Sequence, residues 1–471
     1  MERLVVTKFG SSAMGPDGSN MPVILDRIAE LGKDAKVVCV FSAPLTQDGG
    51  AARSITDVML DMGESAASGG GFDLSGVKSA YGRVAEHATG QGRAECADII
   101  DKSLRRAGEA LGAAEAAGSF VHEARADALA FSGELLMSYL MDAILRSRGT
   151  RSAAVPFDSW PIITDDNPET TNFLHAESEA RAGALLELVG SHDVVTMGGF
   201  IGRTPNGATT TYERGGSDRT AADLGILLHS RYDARIDLAK DSAVVSADPR
   251  VVREGLSPVE ELSYNEARQA GMFGMKILDP IAIKEIFENG VDIPIVITDL
   301  ADPRNRTVIR SGPVASNGHP LKIVTGKRNC AMFRAEADSA DRLLASLEGE
   351  KRYSEFVVLS PFTKNETEFS RVLFLDGDFV RRNERYLRGF DPLAAVTYNR
   401  GVITMIGDEM WRVQQVASRA SAGLGSAGLN ILDMDAQEET SRIIIVIEDS
   451  GDNMERAIRA VHAERETIGF V

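Results

Sequence analysis

Cysteine is scarce in this chain: Cys39, Cys96 and Cys330 stand far apart, with no Cys-x-x-Cys pair among them. That spacing argues against a disulfide framework and a structural zinc site, and it fits a reducing compartment. No run reaches the roughly 18 uncharged apolar residues that a membrane span requires, and the opening MERLVVTKFG lacks the charged-then-apolar layout of a leader. Net positive charge is missing as well: 51 Lys and Arg against 69 Asp and Glu leave a formal charge of -18. Binding to a phosphate backbone depends on a basic face, so nucleic acid is not an expected partner. The expectation is a soluble cytoplasmic protein, off the membrane, whose interleaved charges serve solubility.

What is present has the rhythm of an α/β protein, and 471 residues suffice for two to four domains. The first 45 residues read as apolar run, Gly/Ser loop, helix and apolar run: RLVVTKF, GSSAMGPDGSN, MPVILDRIAELG, AKVVCVFSAP. This is a βαβ unit whose parallel strands are buried on both faces. Further strands are expected at TRSAAVPFD, HDVVTMGGF, DARIDLAKDSAVVSADP and VDIPIVIT, with an Ala-rich helical stretch over about 52–145 that breaks at SGGGFD. A Pro/Gly/Asn-rich stretch, DLADPRNRTVIRSGPVASNGHP, then changes the texture, which gives a large domain over 1–312. Residues 398–471 follow the order strand (GVITMIGDEM), helix (WRVQQVASRASAGLGSAG), strand (LNILDMDA), strand (SRIIIVIED), helix (NMERAIRAVHAE), a small ferredoxin-like module. Residues 313–397, with strands at LKIVTG, EFVVLSP and FSRVLFLDG, read as a divergent copy completed by C-terminal residues.

Chemistry-bearing residues gather at the strand ends. Lys8 reaches the tip of the first strand, and Gly10 with Ser11 then turns the chain. Small residues let backbone N–H groups approach a phosphate while the Lys supplies a point charge, although an ordinary tight turn has the same composition. Ser42 ends the next strand at the edge where open parallel sheets bind ligands; a Ser there also caps helices. Glu134 begins a helix, a position that the macrodipole favours for any acid. In TTYERGGSDRTAADL, Arg214 is shaped to grip a carboxylate through two parallel bonds, and Asp218, with Glu134, faces an ammonium. Cation and anion together fit a zwitterion such as an α-amino acid; an Arg–Asp pair decorating a loop is the plainer alternative. Arg250 and Lys276 are two further cations for a nucleotide's phosphates or for surface solvation.

In order, KFGSSAMG, VCVFSAP, SGEL, GGFIGRTPNGATTTYERGGSDRTAADL, SADPRVV and FGMKILDP resemble the aspartate kinase family of the amino acid kinase superfamily. The end, VITMIGDEM followed by VASRASAGLGSAGLNI, resembles the second of the two ACT modules that such kinases carry. The resemblance implies a three-layer αβα sandwich with a mainly parallel sheet, followed by two ferredoxin-like ACT modules. It implies ATP and Mg2+ as phosphoryl donor and counter-ion, L-aspartate as acceptor, an amino-acid effector and a homodimer or higher homo-oligomer formed through the ACT modules. Carried over, Lys8 and Asp218 are catalytic; Ser42, Thr46, Glu134, Arg214, Ser217 and Asp218 hold aspartate; Lys8, Gly10, Ser11, Lys240, Asp241, Arg250 and Lys276 face ATP; no protein metal ligand is implied. The chain departs from the family's KFGGTS at Ser11, Ser12 and Ala13, from its GERL at Leu135, and from its Trp-Thr-Asp-Val-Asp-Gly block at Leu238 to Ala243, where Lys240-Asp241 stands. Its FGAKVLHP has Asp279 in place of His, and its QGSSE reads DAQEETS. Two other readings stay open: an amino acid kinase of altered carboxylate specificity, ectoine-pathway forms included, and a catalytically silent amino-acid sensor.

Overall fold

A computed structural model describes residues 1–47, 51–167, 171–212, 215–314, 319–349, 355–437 and 441–468. They form two units, Met1–Ala243 with Ile281–Val308, and Val244–Pro280 with Ile309–Val471. The second unit therefore takes in a segment from the middle of the stretch read above as one domain.

The first unit is built on six parallel strands: β1 (Glu2–Phe9), β2 (Lys36–Phe41), β3 (Ser152–Ala154), β4 (Val194–Gly198), β5 (Tyr232–Lys240) and β6 (Ile295–Asp299). Their spatial order is β6-β5-β1-β2-β4-β3, every neighbouring pair parallel. Leu4, Val5 and Val6 are all buried, as the unbroken apolar run requires of a strand covered on both faces. The register puts Thr7, Cys39, Thr196 and Asp237 in one row. On that face Arg27, from the helix Met21–Leu31, bonds Asp237 at 2.7 Å, and Thr196 donates to the Ser138 carbonyl of the helix Glu134–Ser147. The opposite face takes the helix Gly216–Leu228, with Gly225 against Ile236. The result is the expected αβα sandwich.

By length and mean hydropathy (1.4), His122–Ser147 is apolar enough to cross a bilayer, yet 94% of its most apolar window is buried inside the protein. It is a pair of core helices that break at Gly133. Two local differences from the sequence reading have plain causes. The Gly/Ser loop after β1 contains one helical turn, Ser11–Met14, closed by the Met14 amide on the Gly10 carbonyl. The strand expected to run on to Pro249 stops at Lys240, because Asp241 and Ser242 turn out to solvent.

In the second unit six antiparallel strands form one sheet: β7 (Ile323–Glu336), β8 (Phe356–Lys364), β9 (Thr367–Phe374), β10 (Ala395–Ile406), β11 (Asp433–Gln437) and β12 (Arg442–Glu448), in the order β8-β9-β7-β10-β12-β11. Two long strands serve two modules. Ile323–Lys327 pairs with Val402–Ile406, and past a bulge at Lys327–Cys330 the rest of β7 pairs with β9 and the start of β10. One core gathers Ala331, Phe333, Leu343, Val372 and Val380, the other Val324, Ile403, Leu424, Ile445 and Val461. The first module is thus nested within the chain of the second. A helix expected from Trp411 begins at Val416, because Gln415 takes a left-handed φ of 68° after a short turn at Met410–Arg412. The helix Tyr264–Met272 starts with a capping box, Ser263 and Glu266, and Glu266 also meets Lys322 at 2.8 Å in a buried ion pair.

Candidate functional site

Four parallel strands end side by side, and their last residues or the ones just beyond carry Lys8, Ser42, Gly198 and Lys240. Parallel sheets leave this edge open to ligands. Helices from both outer layers aim their first turns at it: Glu134 opens Glu134–Ser147, and Ser217 and Asp218 lie in the first turn of Gly216–Leu228.

The side chains interlock. Lys8 Nζ lies 2.9 Å from Asp218 Oδ1, and Lys240 Nζ lies 3.3 Å from Asp218 Oδ2. Ser42 Oγ donates to Ser217 Oγ at 2.9 Å, and the Ala43 amide donates to Glu134 Oε1 at 3.2 Å. Burial by itself would raise the Asp218 carboxyl; the Lys240 and Lys8 ammoniums outweigh it and hold the group down at about 2. Burial also dominates at Glu134, and there it wins: the carboxyl is pushed up to about 7, against the Ala43 amide and the nearby Lys8 charge. Burial lowers the Lys240 ammonium, although Asp218 opposes the shift. Two cations facing one anion leave this corner net positive, with a carboxyl beside it that titrates near neutrality.

Glycines set the spacing. Gly215 has φ 94°, a left-handed value that costs any other L-residue energy, and it starts the helix that bears Ser217 and Asp218. A Cβ on Gly199 would lie 2.6 Å from the Ser217 Cβ and Oγ, and one on Gly198 would lie 2.9 Å from the Glu134 backbone. A Cβ on Gly10 would sit 2.9 Å from Lys8 Nζ. Tyr81 donates to the carbonyls of Ser132 and Gly133, at 2.8 and 3.0 Å, and so anchors the bend before Glu134.

Of the residues singled out in the sequence, Lys8, Ser42, Glu134, Ser217, Asp218 and Lys240 come together, with Gly10 and Ser11 next to Lys8. Thr46 is buried in a two-residue strand paired with Arg53–Ser54, and Asp241 is exposed. Arg214 lies outside the described residues. Arg250 and Lys276 are exposed residues of the second unit, where Arg250 closes onto Asp248. Sequence reading missed the Ala43 amide and assigned no role to Gly198 and Gly199. The amide has no side-chain signal, whereas the paired glycines after a buried strand are a visible cue to close approach.

The amino acid kinase family model matches residues 3–299. Aspartokinase 1 of Bacillus subtilis is 26% identical over 344 residues, covering 71% of this chain and 81% of that protein. Lysine-sensitive aspartokinase 3 of Escherichia coli is 29% identical over 315 residues, covering 64% of this chain and 63% of that one. The crystal structure of Escherichia coli aspartokinase III in complex with aspartate and ADP superposes with a TM-score of 0.79 at 20% identity, over 98% of this chain and 99% of that one.

Proposed function

The chain belongs to the amino acid kinase family, and on that premise we propose that it is an aspartate kinase, moving the γ-phosphoryl group of ATP to the side-chain carboxylate of L-aspartate. The observation that carries the reading is Asp218 held between Lys8 and Lys240, beside Ser217 and Glu134, at the strand ends of a chain similar to aspartokinases. The nucleophile is a carboxylate with an ordinary pKa near 4, so at neutral pH it needs no general base. The obstacle is repulsion between two anions. Lys8 and Lys240 offset it, and they stabilise charge on the phosphoryl oxygens as the group transfers. Glu134 and Asp218 take the substrate ammonium, Arg214 its α-carboxylate, and Ser42, Ser217 and Thr46 the remaining oxygens. Orientation of this kind removes several kcal/mol of barrier when the reacting atoms are held near contact. Gly10 and Ser11 line the phosphates, with Asp241 toward the nucleotide.

Among the described residues no group of three or more His, Cys, Asp or Glu side chains is arranged for a metal. Mg2+ enters this reading as the counter-ion that ATP brings on its phosphates. The two nested C-terminal modules are the regulatory ACT pair; we assign them the amino-acid effector site and the contact of a homodimer, and place the enzyme in the cytoplasm. A sedimentation profile that stays monomeric at every concentration tested would remove the dimer.

The direct test is ADP release with Mg-ATP and L-aspartate, the acyl phosphate being trapped as hydroxamate, with L-glutamate and substrate-free controls. Hydroxamate that depends on aspartate is expected; nucleotide binding without turnover would replace the kinase with a silent sensor. A second expectation concerns Gly199→Ala. The added methyl meets Ser217 at 2.6 Å, and overpacking of this kind costs about 1–3 kcal/mol. Ser217 must move, so the aspartate KM should rise about tenfold; an unchanged KM would remove Ser217 from the substrate.

A further inference from the structure

Beside the corner that carries Ser217 and Asp218 lies a second polar group, with Tyr212, Arg219 and Asp223 buried and Glu285 at its partly exposed edge. Tyr212 Oη donates to Asp223 Oδ2 at 2.7 Å. Arg219 Nη2 donates to Glu285 Oε1 at 2.7 Å, its guanidinium stacks 4.1 Å over the Tyr212 ring, and Nη1 donates to the Thr171 carbonyl at 3.2 Å. Tyr212, Arg219 and Asp223 are 3%, 3% and 0% exposed. Burying so many polar groups is costly unless each is held, and an apolar helix face would pack here at lower cost.

Location suggests what the group does. Tyr212 stands two positions before Arg214 in the sequence; its amide donates to the Phe200 carbonyl, and its Cβ would touch any Cβ on Gly216, at 2.4 Å. Arg219 and Asp223 lie on the helix whose first turn bears Ser217 and Asp218, and Glu285 ties that helix to Pro280–Glu288. The group therefore joins Tyr212 to the helix Gly216–Leu228 and fastens both to a third element.

We propose that Tyr212, Arg219, Asp223 and Glu285 are positioning residues, a largely buried strut that fixes the helix start bearing Ser217 and Asp218 without touching substrate. One cation is set against two neighbouring carboxyls, and Asp223 is the one with no exposure, so burial falls hardest on its charge. Burial and the facing Glu285 carboxyl push Asp223 well above the usual carboxylate range, against the Arg219 charge and the Tyr212 hydroxyl. Tyr212, Arg219 and Glu285 are the charged or titratable groups that act on it. Loss of that proton, as pH rises through the raised value, brings a second negative charge beside Glu285 and loosens the strut. Its contribution to the fold is complete at low pH and is lost as pH rises through the raised value.

This inference rests on the aspartate kinase reading, and its test separates the two. Tyr212→Phe deletes only the hydroxyl and leaves a buried carboxyl without its donor. The aspartate KM should rise about tenfold or more, the usual loss for a bond to a buried acid, with kcat nearly unchanged. Asp223→Asn keeps a neutral, bonded group, so it should retain the KM that the wild type has while Asp223 is protonated, and abolish the rise in KM expected of the wild type as pH climbs through the raised value. Hydrogen exchange on the full-length protein supplies a readout that does not depend on turnover: the peptide Tyr212–Ala222 should exchange faster in Tyr212→Phe, while peptides from Gly92–Ala117 do not. An unchanged KM, an Asp223→Asn profile identical to wild type, or faster exchange throughout the unit would each overturn the strut. Failure of the wild type to phosphorylate aspartate would instead overturn the kinase reading, and the exchange data would still decide the strut.

Discussion

Lys8→Ala is expected to lower turnover of aspartate by about 10²–10³-fold, the usual loss when one preorganised charge is removed from a transferring group. The aspartate KM should stay within about threefold, since an interaction made mainly in the transition state acts on kcat. Two features of the site sharpen this expectation. Lys240 remains on the other oxygen of Asp218, 3.3 Å away, so the variant keeps a neutralised Asp218 and should fold. The ammonium also packs where a Cβ on Gly10 would sit, 2.9 Å from Nζ. A guanidinium is larger and planar, so Lys8→Arg should fail to restore the rate although it restores the charge. Single-turnover hydroxamate formation decides the matter. Turnover equal to wild type in Lys8→Ala would take Lys8 out of the reaction, and full rescue by Arg would show that charge alone suffices.

The scaffold of this site was largely legible in the sequence, for a physical reason. Parallel strands buried on both faces must be written as unbroken apolar runs, so RLVVTKF and AKVVCVF announce both the strands and the ends where Lys8 and Ser42 project. The corner at Gly215–Asp218 was legible because a left-handed residue at a helix start calls for glycine. Contacts across the fold left much weaker traces. Nothing in the spacing of Tyr212, Arg219, Asp223 and Glu285 marks them as one group, since Glu285 is 66 residues from Arg219. The Ala43 amide that holds Glu134 is backbone and leaves no mark at all. The nesting of one C-terminal module inside the other escaped for a similar reason: β7 and β10 each serve two modules, and only the bulge at Lys327–Cys330 separates the halves.

Glu134 couples stability to activity, and its replacement gives the second large effect. Holding its carboxyl at about 7, against its ordinary 4.5, costs the folded enzyme about 3 kcal/mol once pH exceeds 7. The sign follows from the raised value: stability linked to this group is fully present below about 4.5 and is lost as pH rises through about 7. Above that pH the enzyme carries a buried carboxylate steadied by the Ala43 amide, its own amide and the nearby Lys8 charge, a state that an incoming ammonium would satisfy further. Glu134→Gln removes the cost and the function together. Its thermal midpoint at pH 8 should exceed that of the wild type and lose its slope between pH 6 and 8, while kcat/KM for aspartate falls by about 10²-fold, as expected when a buried charge pair is broken. The wild-type kcat/KM should rise with pH to a plateau just above 7, and the Gln variant should lack that limb. A Gln variant that is both less stable and fully active would mean that the Glu134 carboxylate serves the fold and never meets the ammonium.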